Sequence, residues 1–218
     1  MQSRRKSLLL IYQQLYRHYG PQHWWPADSP FEVMVGAILT QNTAWSNVEK
    51  ALANLVAHDR LDATKIVATR KDHLANWLRS SGYFNVKAER LKNFCHWYLD
   101  AGGFRSLSRL DTTQLRQLLL SVNGVGPETA DDILLYAFER PVFVIDVYTR
   151  RLFTRLRLFA GNESYDCLRL AIESALGPDV ALFNEYHALI VRHAKEACRP
   201  SPRCERCVLC GDCPVGAQ

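Results

Sequence analysis

Five of the seven cysteines fall between residues 198 and 213, as Cys198-x5-Cys204-x2-Cys207-x5-Cys213 with Cys210 between the last two. In a reducing compartment such density reads as metal binding rather than disulfide formation. Four thiolates this close, with Pro214 after the last, suit one [4Fe-4S] cluster held by Cys198, Cys204, Cys207 and Cys213. Zinc is the alternative, although its sites more often pair two separated Cys-x2-Cys units. Because Cys204, Cys207, Cys210 and Cys213 share one spacing, either Cys210 or Cys198 can be the spare. A second chemical group is Asp146, the last residue of Pro141-Val142-Phe143-Val144-Ile145-Asp146. A carboxylate delivered by a buried apolar run can stabilise positive charge or activate water. It can also simply cap the helix that follows, worth ~1 kcal/mol.

A third group is backbone. Asn123-Gly124-Val125-Gly126 joins an apolar helix, Leu115 to Val122, to a second helix opening at Pro127 and Glu128. Glycines at 124 and 126 permit positive φ, and proline suits a first helical position. N–H groups gathered at such a turn can hold a phosphate. The turn alone would equally serve as an ordinary connection in an all-α protein.

The elements that must position these groups read as helices. Apolar spacing predicts helices over Ser7–Tyr19, Asp62–Val67, Leu74–Leu78, Asn85–Tyr98, Val147–Phe159, Tyr165–Leu176 and Leu182–Ala197. Ser29-Pro30 marks the start of another, carrying Phe31, Met34, Val35, Ile38 and Leu39 inward. It ends abruptly in polar Thr40-Gln41-Asn42-Thr43, the mark of a functional corner. Lys87, Arg90 and Lys92 are available for solvent or phosphate, and Arg150, Arg151, Arg155 and Arg157 charge one helix face. Val142–Ile145 is strand-like by propensity but has no partner strand. His193 reads as a satisfied core histidine. With 218 residues, 48% hydrophobic content and a net charge of +5, the chain has a sizeable core and suits a polyanionic partner without requiring one. No apolar run approaches the 18 residues of a membrane span, and the N-terminus does not read as a signal peptide, so a cytoplasmic location is expected.

Together these motifs resemble the helix-hairpin-helix-Gly/Pro-Asp superfamily of DNA glycosylases over nearly the whole chain. The hairpin with Thr129-Ala130, the approach to Asp146, Leu39-Thr40-Gln41, and His193-Ala194-Lys195 before Cys198 resemble endonuclease III. In that family the first two cluster cysteines usually stand one residue further apart. Other stretches are similar to the 3-methyladenine DNA glycosylase III branch: Gln22-His23-Trp24-Trp25, Leu39 to Thr43, Ser81-Gly82-Tyr83, Lys87-Ala88, and Glu128 with Ala130-Asp131. The well-known member of that branch lacks a metal cluster, so this chain combines two patterns.

The resemblance implies an all-α fold of two helical domains, residues 22–138 carrying the hairpin and residues 1–21 with 139–218 carrying the cluster loop. It implies a monomer, bacterial or archaeal and nucleoid-associated, acting on double-stranded DNA that contains a damaged base. Asn123, Gly124, Val125 and Gly126 would hold the DNA backbone. Gln41 would fill the hole left by a flipped base, whose extrusion costs roughly a few kcal/mol, and Tyr83 or Phe84 could press on the opposite strand. Trp24, Trp25 and Trp45 would wall the base, each stack worth ~1–3 kcal/mol. Asp146 and Glu128 would be the catalytic carboxylates. Glu128 occupies the place where strand-cleaving members carry a lysine, and a carboxylate cannot form a Schiff base. The implied activity is excision of alkylated purines such as 3-methyladenine without strand cleavage. The alternative is an endonuclease III-like glycosylase/lyase acting on oxidised pyrimidines.

Overall fold

In the computed structural model, which describes residues 2–216, the chain is 67% helix with no strand among the described residues. It divides into two compact units, Ala27–Arg140 and Met1–Pro26 with Pro141–Gln218. The division falls a few residues beyond the expected boundaries, so Trp24 and Trp25 go with the second-named unit.

The Ala27–Arg140 unit is built around α2 (Pro30–Leu39). Ser29 Oγ accepts the Glu32 N–H and Pro30 opens the first turn, as the sequence signals. Every residue from Val33 to Leu39 is buried, so α2 has no solvent face and other helices must surround it. Those neighbours include α3 (Trp45–Ala57), α6 (Phe84–Asp100) and α9 (Pro127–Asp132). A single π-helical turn, Ile133–Ala137, continues α9 and also packs on α2. Two short helices, α4 (Ala63–Ala68) and α5 (Lys71–Trp77), lie on α6. The π turn and α7 (Gly103–Leu107) are short elements outside the helices expected from the sequence. α8 (Thr112–Ser121) opens with a capping box formed by Asp111 and Gln114.

In the other unit α1 (Gln2–Tyr19) packs on α11 (Tyr165–Leu176) and α12 (Val180–Glu196), and α12 also packs on α10 (Val147–Arg155). The core is aromatic: Tyr186 stands edge-on to Tyr12, Phe143 and Phe153, and its hydroxyl donates to Leu8 O at 2.9 Å. Burying each such ring contributes ~1.5–3 kcal/mol. α10 is shorter than expected. It ends at Arg155, and Arg157 turns left-handed (φ 54°), so Phe159 lies outside it. Val142–Ile145 is a buried extended run whose amides bond to side chains: Phe143 N–H donates to Glu173 at 2.9 Å and Ile145 N–H to the Tyr165 hydroxyl at 3.3 Å. No helix among the described residues is long and apolar enough to cross a membrane.

Candidate active site and metal-binding loop

The hairpin follows α8. Val125 N–H closes the turn on Val122 O at 3.0 Å, and Gly124 takes φ +97°. A side chain at 124 would strike the Arg90 stem, its Cβ only 2.3 Å from Cγ, so glycine is required there for both space and conformation. Gly126 differs from expectation. Its φ is −92°, which any residue adopts, and a Cβ there would meet nothing within 4 Å. Neither conformation nor internal packing demands that glycine; what its absent side chain keeps clear is the outer surface of the turn.

Gln41 is held on this hairpin. Its Nε2 donates to Gly124 O at 3.0 Å and to Thr129 Oγ1 at 2.9 Å, while its Oε1 accepts from Arg90. The polar corner after α2 and the turn before α9 are therefore one hydrogen-bonded assembly. The two helices flanking the turn are braced by Arg116 of α8, whose guanidinium forks onto the Asp131 carboxylate of α9 at 2.6 and 3.1 Å. Glu128 is exposed in the first turn of α9, where negative charge complements the helix dipole. Trp45, half-buried, opens α3.

Two expectations about lysines fail. Lys87 and Lys92 do not face solvent as free cations. Lys87 is 1% exposed and donates to Leu39 O and Ser81 O, and Lys92 donates to Val67 O and Thr69 O. Arg90, the third of that group, is spent on Gln41. The signal for Lys87 was in the sequence: it lies in register with Leu91 and Phe94 on the inward stripe of α6. Burial, helped by Arg90, pulls its ammonium down to about 8. It ties the end of α2, which leads to Gln41, to the turn that leads to Tyr83. Tyr83 is 72% exposed and left-handed (φ 46°), a strained setting for a large aromatic. Phe84, beside it, is covered by Arg79. Replacing Lys87 by methionine leaves two carbonyls without this donor. We expect a loss of about 1–3 kcal/mol in urea unfolding; an unchanged midpoint would show that the strut carries no load.

In the other unit Asp146 is 8% exposed and caps α10, Oδ1 accepting Thr149 N–H at 2.6 Å. Oδ2 faces His187 Nε2 of α12 at 3.5 Å. Burial pushes the carboxyl pKa up, but His187 and the Thr149 N–H outweigh it, so the group lies below its ordinary value and is ionised at neutral pH. Sequence reading missed His187, although it stands one helical turn from buried Phe183. Trp24 and Trp25 are half-buried and meet edge-on with ring centroids 5.5 Å apart.

All five clustered cysteines line one small cavity with Arg155. The loop closes in successive three-residue turns, each of Cys207, Cys210 and Cys213 donating its N–H to the cysteine carbonyl three residues earlier. Cys198 Sγ lies 3.4 Å from an Arg155 guanidinium nitrogen. Cys207 Sγ lies 3.5 Å from His193 Nε2, and the other nitrogen of that ring meets the Tyr19 hydroxyl at 3.0 Å. His193 is thus a core histidine with one edge on the loop. Burial, reinforced by the neighbouring thiols, raises Cys204, and burial pushes Cys207 up to about 11. That cost disappears once a metal takes the sulfurs as thiolates. Among the described residues no three His, Cys, Asp or Glu side chains are arranged about a single ion. An all-sulfur lining of this kind is the donor set that an iron–sulfur cluster or a tetrathiolate zinc would take.

The arginines of α10 are not a solvated face. Arg151 donates to Cys198 O, Arg155 to Arg199 O and Pro200 O, and Arg150 to Gly161 O and Glu163 O. The helix that starts at Asp146 thereby anchors the cysteine loop at its far end.

Residues 35–178 match the family described as HhH-GPD superfamily base excision DNA repair protein. The chain is 46% identical over 202 residues to MJ1434 of Methanocaldococcus jannaschii, an inferred DNA repair glycosylase, covering 91% of this chain and 92% of that one. Among solved structures it is similar to the H. pylori 3-methyladenine DNA glycosylase bound to 1,N6-ethenoadenine. That match has 30% identity and a TM-score of 0.73, covering 88% of this chain and 95% of that one. An endonuclease III–DNA complex shares the fold, with a TM-score of 0.83 at 19% identity over 98% of this chain and 96% of that one.

Proposed function

Because the chain belongs to the HhH-GPD superfamily and is a base excision DNA glycosylase, we propose that it releases alkylated purines by hydrolysis and leaves the strand uncut. The observation that carries this reading is Glu128. At the start of α9, where strand-cleaving relatives present a lysine, this chain presents an exposed carboxylate. A carboxylate has no amine with which to form a Schiff base, so water is left as the nucleophile. Likeness to a 3-methyladenine glycosylase supports the choice of base.

In this reading the hairpin holds the DNA backbone and Gln41 enters the stack when the base leaves it. Trp24, Trp25 and Trp45 receive the base, by stacking and by cation–π attraction to its positive charge. Asp146, ionised and aimed by Thr149 and His187, stabilises the cationic sugar and orients water. A cationic alkylpurine is already a good leaving group and needs little general-acid help. Cys198, Cys204, Cys207 and Cys213 would hold one [4Fe-4S] cluster, whose contribution is to cross-link the loop that α10 and α12 support.

Duplexes carrying 3-methyladenine, 7-methylguanine or thymine glycol test the substrate. Single-turnover release is expected from the two methylpurines and not from thymine glycol, and Trp45→Ala is expected to cost about 1–3 kcal/mol in transition-state terms. Faster release of thymine glycol than of either methylpurine would favour the oxidised-pyrimidine alternative.

A further inference from the structure

Gln41 is fully engaged before any DNA arrives. Its two amide protons go to Gly124 O and Thr129 Oγ1, at 3.0 and 2.9 Å, and its oxygen accepts from Arg90 Nη1. No donor of the side chain is left over. A residue fastened this way to the hairpin must give up all three bonds before it can fill a gap in a duplex. Two of its partners are neutral; the third is a guanidinium.

Arg90 is half-buried, and among the described residues its side chain makes no other hydrogen bond and no ion pair. Glu89, beside it on α6, is paired with Lys71 at 2.7 Å. The Arg90 stem lies along the hairpin, where a side chain at 124 would collide with it. One turn further along α6, Asn93 Nδ2 reaches Asn123 Oδ1 at 3.4 Å, so the same face of the helix follows the turn. One turn back, Lys87 adds a second cation whose bonds go to carbonyls. A neutral amide oxygen is a weaker partner for a guanidinium than an anion. Arg90 therefore stands beside the phosphate-binding turn with its charge uncompensated.

We propose that Arg90 is a phosphate-binding residue gated by Gln41: it holds the glutamine in the free enzyme and passes to a DNA backbone phosphate at the hairpin when Gln41 enters the duplex. The inference rests on the gap-filling role proposed above for Gln41. Only hydrogen bonds are exchanged. The guanidinium loses one amide oxygen and gains a phosphate, which it can take with two parallel N–H bonds. Gap filling and backbone binding are thereby coupled, each favouring the other. On undamaged duplex no gap receives Gln41, so it stays on the hairpin and Arg90 is withheld.

The test measures how binding by the full chain depends on salt, for an undamaged duplex and for one carrying a tetrahydrofuran abasic analogue, which presents the gap. Each phosphate contact adds about 0.9 to the slope of log affinity against log salt. Wild type is expected to show a slope steeper by about 0.9 on the gapped duplex. Arg90→Met keeps the stem against Gly124 and removes the charge, so this increment disappears; Arg90→Lys retains it. Gln41→Ala reaches the same point without touching the stem. It frees Arg90 in advance, so the undamaged duplex acquires the steeper slope, while affinity for the gapped duplex falls. An increment that survives in Arg90→Met, or is missing in wild type, overturns the role of Arg90 alone. Gapped-duplex affinity unchanged by Gln41→Ala overturns the gap-filling role and the exchange with it.

Discussion

Asp146→Asn lowers the rate of base release by at least about 10²-fold, the usual scale for losing an electrostatic or general-base group, and leaves affinity for damaged duplex nearly unchanged. The two readouts separate because the substitution is local. Asparagine caps a helix about as well as aspartate, so the bond from Thr149 N–H survives and α10 keeps its start. What goes is the negative charge. In the folded protein the carboxyl pKa lies below its ordinary value, so the charged form is the one that folding favours. Its contribution to stability is complete above the unfolded value near 3.8 and fades as pH falls through the lower folded value. At neutral pH the carboxylate is therefore present whether or not DNA is bound. Single-turnover release at saturating enzyme, alongside a binding titration, gives both numbers. Near-normal release by Asp146→Asn would reduce Asp146 to a helix cap.

Arg116→Ala is expected to cost about 3–5 kcal/mol of stability, the range for breaking a buried ion pair from one side. The guanidinium is 13% exposed and the Asp131 carboxylate fully buried, so truncation strips a buried charge of its forked partner. Lysine at 116 restores only part of the loss, because an ammonium cannot make the two parallel bonds. The pair joins the helices on either side of the hairpin, so affinity for undamaged duplex should fall with stability. Urea unfolding of the Ala and Lys variants checks the order. A loss under about 1 kcal/mol for Arg116→Ala would mean that other contacts carry Asp131.

Much of this was legible in the chain because the signals are local. Ser29-Pro30 starts α2, Asp146 caps α10, and the apolar spacing of 165–176 marks α11. The cysteine spacing likewise marks residues 198–213 as one cluster, and the five cysteines line a single cavity. What escaped depends on which neighbour a side chain meets. Lys87 reads as a solvated cation until the carbonyls of Leu39 and Ser81 appear above it. Arg151 and Arg155 look like a charged face, but the loop they brace returns from more than forty residues away. Gln41 carried a role by resemblance, while its bonds to Gly124 and Thr129 belong to the tertiary fold. Gly126, read with Gly124 as a residue that permits positive φ, takes φ −92°, and of the two only Gly124 uses that freedom.

Hydrolysis without an enzyme amine leaves a distinct mark on the DNA strand. A labelled duplex with a single alkylpurine is incubated with the enzyme, then divided among borohydride, hot alkali and no treatment. Strand breaks are expected only after alkali, with no protein–DNA adduct after borohydride. Breaks without alkali, together with a borohydride-trapped adduct, would contradict hydrolysis and show that an amine elsewhere in the chain does what Glu128 cannot.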